Sequence, residues 1–145
     1  MKIIYKKIKD IKNFIDTVRL RTEVFIIEQK CPPGWEPDEL DKESTHYVAT
    51  VDDKIVATAR LREDQKQTGK IERMVVKKEF RGKGIGFGLT EYIIKQARRK
   101  GFKKLQIQAQ QHAQEMYKKA GFKVSSKEYD LWNLGIPHID MELII

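Results

Sequence analysis

One cysteine, Cys31, stands in a chain of 145 residues, so neither an intrachain disulfide nor a multi-cysteine zinc site can form. The three histidines, His46, His112 and His138, lack the close spacing of a metal-binding pair, and no metal is expected. Long apolar runs are also missing: stretches such as Val24 to Ile27 fall far short of the roughly 18 residues a membrane span requires. The N-terminus alternates lysine with isoleucine and carries no secretory-signal pattern. A cytoplasmic location without a membrane partner is the expectation. Proline is scarce at four residues, and the one Pro-rich break, Cys31-Pro32-Pro33-Gly34, reads as a loop inside a domain. With no internal repeat or linker, residues 1–145 read as a single domain.

What is present is a globular composition, 40% hydrophobic and 34% charged, with 29 basic residues against 21 acidic ones. The resulting net charge of +8 suggests an anionic partner without naming it. Its distribution says more. Lysines and arginines crowd the segment from Lys77 to Lys104, whereas Glu36 to Glu43 holds Glu36, Asp38, Glu39, Asp41 and Glu43 against Lys42 alone.

The hydrophobic pattern gives an order of elements. Lys2 to Ile8 reads as a strand, and Asp10 can cap a helix whose apolar positions are Ile11, Phe14, Ile15, Val18, Val24 and Phe25. Thr45 to Val51 and Lys54 to Arg62 form a hairpin around Asp52-Asp53, and a turn at Gln67 to Gly69 leads to a third antiparallel strand, Lys70 to Lys77. Ile85, Leu89, Tyr92, Ile93 and Ala97 then mark one face of a helix ending near Gly101. Lys103 to Ala109 follows as a strand parallel to the third, completing one βαβ unit. A short helix, Ala113 to Ala120, and strands Phe122 to Glu128 and Ile139 to Ile144 close the chain. The fold class is α/β: a mixed sheet in the order β-α-β-β-β-α-β-α-β-β, with helices on both faces.

Strand, glycine-rich turn and helix bring Arg81-Gly82-Lys83-Gly84-Ile85-Gly86 to a helix N-terminus, where open amides and the helix dipole suit a pyrophosphate. Arg81 and Lys83 add positive charge. A Walker loop is excluded, because Lys77 stands where its first glycine belongs and Ile85 where Ser or Thr belongs. The dinucleotide fingerprint fails as well: its last glycine would fall on Phe87 or Leu89.

Arg81 to Gly86 resembles the Gln/Arg-x-x-Gly-x-Gly/Ala loop of the GCN5-related N-acetyltransferase (GNAT) family, and Met74-Val75-Val76 resembles that family's cofactor-binding strand. Met116 to Phe122 is similar to its Tyr-x-x-x-Gly-Phe element. Leu20 to Gln29, Asp41 to His46 and Gly135 to Ile139 resemble the ElaA-like branch. The resemblance implies the GNAT acyl-CoA N-acyltransferase fold, with splayed central strands, and acetyl transfer from acetyl-CoA to a primary amine in a ternary complex. It implies further that Met74, Val75 and Val76 pair with the pantetheine arm, that Gly82, Gly84, Ile85 and Gly86 hold the pyrophosphate with Arg81 and Lys83, and that Gln108 and Lys119 also meet the cofactor. Glu72 matches the family's frequent general base and Tyr117 its general acid. A homodimer fits the family's habit.

The acceptor is read as an unidentified amine bordered by Glu28, His46, Tyr129, Trp132, His138 and the acidic Glu36 to Glu43 loop, whose charge would favour a cationic amine. Cys31 has nothing beside it to activate it as a nucleophile. The alternative is a catalytically silent CoA-binding or nucleic-acid-binding module on the same fold, with the basic stretch Arg98 to Lys104 as its contact. That stretch offers Phe102 as its only stacking aromatic and no nucleic-acid motif.

Overall fold

A computed structural model describes all 145 residues. The chain runs β1 (Ile4–Lys7), α1 (Ile11–Arg21), a π-helical extension (Thr22–Glu28), β2 (Thr45–Val51), β3 (Lys54–Gln65), β4 (Thr68–Val76), α2 (Ile85–Arg99), β5 (Lys104–Gln110), α3 (Gln114–Lys119), β6 (Lys123–Val124), β7 (Tyr129–Asp130) and β8 (Pro137–Ile144). The sheet order is β1-β2-β3-β4-β5-β8-β6, with β7 also on β8. Only β4 and β5 are parallel. No helix is long and apolar enough to cross a membrane.

Local chemistry explains most of these boundaries. The Asp10 carboxylate accepts the Asn13 N–H at 2.8 Å and starts α1. Asp52 and Asp53 both adopt positive φ, 50° and 63°, the backbone that a two-residue hairpin with the natural strand twist demands. At the end of α2, Gly101 sits at φ 88° while Phe102 N–H returns to the Ala97 carbonyl at 3.1 Å.

The sheet is covered on both faces. Val56 and Val76 pack with Ile85, Leu89 and Ile93 of α2, and their neighbours Ile55 and Val75 turn to Leu20 and Val24 at the end of α1. The apolar face expected for α1 is corrected: Ile11 and Ile15 are exposed, whereas Thr17, Leu20 and Arg21 are buried against the sheet. An arginine on the inner face displaced the pattern. The long strand expected over Phe122 to Glu128 is also corrected to β6 and β7, two short pieces on β8. Between them the Ser126 hydroxyl, not the backbone, takes the Asp140 N–H at 2.9 Å, and the chain leaves the ladder there.

Two irregularities shape the middle of the sheet. First, β4 and β5 pair only from Thr68–Lys104 to Ile71–Ile107, and then diverge. Second, the register of β4 on β3 slips between Arg60–Glu72 and Thr58–Val75, so Ala59 alone faces Arg73 and Met74. This is a β-bulge, with Arg73 at φ 57°.

An almost fully buried ion network holds that bulge. Arg21 clasps Asp41 through both terminal nitrogens, at 2.8 and 2.9 Å, and Glu36 through Nε. Arg60 reaches Asp38 at 2.5 Å, Asp41 at 2.9 Å and Glu72 at 3.1 Å. Arg73 places Nη2 3.0 Å from Asp38, and its Nε lies 2.8 Å from Glu36 Oε1 without hydrogen-bond alignment. Desolvation opposes ionisation of Asp41, but the hydrogen bonds and charges of Arg21 and Arg60 outweigh it and pull its pKa down to about 2.

Removing one partner leaves charges buried and unpaired, so Arg60→Ala is expected to lower unfolding free energy by about 3–5 kcal/mol, read from urea denaturation. Asp41 is held below its unfolded pKa of about 3.9, so its contribution is complete above that value and is lost as pH falls through it toward 2. Asp38 and Glu72, also lowered, act in the same direction. The thermal midpoint should therefore hold steady from pH 7 to about 5 and then fall steeply; a midpoint unchanged down to pH 2 contradicts this account.

Candidate active site

The divergence of β4 from β5 opens a cavity of about 260 Å³ between them. Its walls are Glu72 to Val76 of β4 and Gln108 to Gln110 of β5, with Gly86, Met116 and Tyr117 on one side and Val24, Phe25, Leu131 and Trp132 on the other. Beyond the fork the inner edge of β4 has lost its partner strand. An extended ligand could take that place by strand addition.

One end of the cavity meets the glycine turn. Gly82 and Gly84 have φ of 75° and 79°, which side-chain-bearing residues rarely adopt. Gly86 is needed for room instead: a Cβ there would lie 3.0 Å from the Met116 sulfur. No side chain caps α2, so its first amides remain open toward the turn. Arg81 and Gly86 line the cavity, and Gly82 to Ile85 form the turn between them. Arg81 is engaged, donating to the Val76 carbonyl at 2.9 Å and to both oxygens of Glu28 at 2.9 Å. Lys119 lies outside the cavity wall, its ammonium 4.7 Å from the centre of the Phe87 ring.

Tyr117 is 4% exposed and lines the cavity, packed edge-on against Phe122. Burial alone pushes its hydroxyl pKa well above the ordinary tyrosine value, so it keeps its proton throughout the neutral range.

Glu72 stands at the fork, but its carboxylate is already taken. Arg62 Nε is 2.7 Å away, Arg60 donates at 3.1 and 3.2 Å, and Lys70 lies at 3.7 Å. These cations outweigh the upward effect of burial and hold Glu72 below the usual glutamate range. Glu72, expected as the general base, is thus tied to three cations, which weakens it as a proton acceptor.

The acceptor-side residues divide. Trp132 and His138 line the cavity; Trp132 is held at φ 57° with its ring edge-on to Trp35. Tyr129 lies behind His138, stacked on its ring at 6.3 Å and hydrogen-bonded to Asp140, and Glu28 sits beside the mouth in the grip of Arg81. His46 is corrected: it lies on β2 beneath α1, its Nε2 2.9 Å from the Asp41 carbonyl and its ring against Phe14, away from the cavity. In the acidic loop Glu39 and Glu43 are exposed and do not line the cavity. Glu36, Asp38 and Asp41 are spent on Arg21, Arg60 and Arg73, so they offer no free negative charge to an amine.

Sequence reasoning missed Arg73, whose conformation follows from a bulge that no local pattern announces, and Gln29 and Gln110, whose amides bond reciprocally at 3.0 and 3.1 Å across the wall. No group of three or more His, Cys, Asp and Glu residues could hold a metal ion. Cys31 is buried and unpaired by disulfide, and burial raises its thiol pKa, consistent with an unactivated side chain.

A family model described as an acetyltransferase (GNAT) domain matches residues 13–145. The chain is 37% identical over 126 residues to the uncharacterized N-acetyltransferase YjcF of Bacillus subtilis, covering 87% of this chain and 89% of that one. It is 36% identical over 137 residues to a UPF0039 protein of Schizosaccharomyces pombe, covering 92% and 89%. The crystal structure of Escherichia coli ElaA superposes with a TM-score of 0.86 at 25% identity, covering 97% of this chain and 99% of that one. Two more distant solved chains share the fold at 17% identity: a Bacillus subtilis acetyltransferase in complex with CoA, TM-score 0.73, and a GNAT family acetyltransferase of Elizabethkingia anophelis with acetyl-CoA bound, TM-score 0.72. The forked sheet, the glycine turn and these likenesses converge, and the chain belongs to the GNAT acetyltransferase family.

Proposed function

We propose that this protein transfers an acetyl group from acetyl-CoA to a primary amine of a small molecule or peptide, by direct attack within a ternary complex. The observation that carries the reading is the fork between β4 and β5, which opens beside the glycine turn and the uncapped start of α2. The pantetheine arm lies along Met74, Val75 and Val76 as an added strand, within reach of Gln108 on the opposite side. The pyrophosphate rests on the amides of Gly82 to Gly86, with Arg81, Lys83 and Lys119 supplying positive charge. Those amides cost no reorganisation when the ligand arrives, because the backbone already holds the turn.

The thioester carbonyl then sits in the cavity near Tyr117. As the amine attacks and the carbon–sulfur bond breaks, the departing thiolate takes the tyrosine proton, leaving an amide and free CoA. A buried neutral tyrosine suits this role, since low polarity keeps the proton on oxygen until a stronger charge develops beside it. The acceptor enters from the side of Leu131 and Trp132, an apolar wall without a free carboxylate. A polycation has no favourable partner there.

Tyr117→Phe is expected to lower turnover tenfold or more with CoA affinity unchanged, measured by thiol release and calorimetry. Unchanged turnover removes Tyr117 from the chemistry. Arg81 must exchange Glu28 for phosphate, so Glu28→Gln is expected to tighten CoA binding about two- to fivefold, the worth of a partly exposed ion pair, whereas Arg81→Ala weakens it. A panel of amines with product masses tests the reaction itself; tight CoA binding without turnover on any amine favours the silent module instead.

A further inference from the structure

We propose that His138 is the general base that takes the proton from the acceptor amine, an inference that rests on the acetyl-transfer reading above. The attacking amine must shed a proton, and the carboxylates near the site are both occupied: Glu72 by Arg60, Arg62 and Lys70, and Glu28 by Arg81. What remains in the cavity wall with a lone pair to offer is imidazole. His112 is exposed and has no hydrogen bond to orient it. His138 differs on both counts.

His138 is 5% exposed, yet it lines the cavity. Its Nδ1 lies 2.7 Å from the Ile136 carbonyl oxygen. A carbonyl can only accept, so Nδ1 carries the hydrogen and Nε2 is left with its lone pair. The same bond strengthens once Nε2 is protonated, because the donor is then part of a cation. The ring cannot drift: Tyr129 stacks on it, the Tyr129 hydroxyl is tied to Asp140, and the backbone of His138 pairs with Gln110 of β5. A cavity-lining base oriented by one hydrogen bond, with its other nitrogen left unpartnered, is the arrangement that proton abstraction requires.

The step balances without any added reagent. As the neutral amine attacks the thioester carbon, its N–H proton passes to His138 Nε2. The carbon–sulfur bond breaks, and sulfur takes the Tyr117 proton. The imidazolium then returns a proton to the tyrosinate through solvent, and amide and thiol leave.

The titratable and charged groups around the ring are Tyr129 and Asp130 on β7, Asp140 on β8, His112 after β5 and, across the cavity, Glu72, Arg73 and Tyr117. Asp130 is committed to the Gly135 N–H at 2.9 and 3.0 Å, and β5 faces His138 with the neutral Gln110.

His138→Gln is expected to lower turnover by about 100-fold or more and to leave CoA affinity by calorimetry unchanged. Full turnover overturns the base while sparing the acetyl-transfer reading. Loss of turnover in His112→Gln in place of His138→Gln overturns it as well. Failure of the wild-type protein to acetylate any amine removes that reading and the base together. A measurement on the unmutated protein keeps the proposal open to refutation even if the variant does not fold. Nitrogen-15 NMR of labelled histidine should find neutral His138 protonated on Nδ1, and a proton on Nε2 sinks the proposal.

Discussion

The buried arginine–carboxylate network is the constraint on which the rest of this molecule depends. It joins α1 through Arg21, the loop after the π-helical segment through Glu36, Asp38 and Asp41, β3 through Arg60, and the bulge of β4 through Glu72 and Arg73. Each ion would be costly to bury by itself, so the cluster is tolerated only when every member is in place. That cooperativity makes it a poor source of net stability and an effective source of geometry. It fixes Arg73 in a left-handed backbone conformation inside a strand, where an ordinary pleat would otherwise be preferred.

Geometry at the bulge becomes chemistry at the fork. Once β4 turns away after Ile71, its inner edge and that of β5 are free to meet a ligand, and the gap between them is the cavity. The glycine turn reaches this gap from the end of β4 because a short 3₁₀ turn, Lys78–Phe80, leads straight into it. The glycine turn and the cavity are thus held by adjacent parts of one strand–turn–helix unit, and β8 brings His138 from the opposite side. The basic excess that suggested an anionic partner has a local component here, in Arg81 and Lys83, whereas Arg21, Arg60 and Arg73 are consumed internally.

Features encoded by neighbours in the chain were legible. Asp10 announced a helix, Asp52-Asp53 a hairpin, and Gly82 and Gly84 a turn that needs positive φ, because each of these depends on a few adjacent residues. Features encoded by partners distant in the chain were not. Glu72 reads as a free strand carboxylate until Arg60 and Arg62 arrive from β3, ten or more positions earlier. The loop from Glu36 to Glu43 reads as an acidic border of the acceptor site until arginines from three other elements close on Glu36, Asp38 and Asp41. His46 and His138 look alike in sequence; one is buried beneath α1 and the other lines the cavity.

By itself, then, the sequence determined the order of strands and helices as far as α3, the family, and the glycine turn, since period, turn chemistry and motif spacing are local properties of the chain. Tertiary structure alone decided which charges are free. Whether a carboxylate or an imidazole can accept a proton depends on the groups within a few ångströms: Glu72 is paired with cations from β3, and His138 is oriented by the carbonyl of Ile136 and the ring of Tyr129.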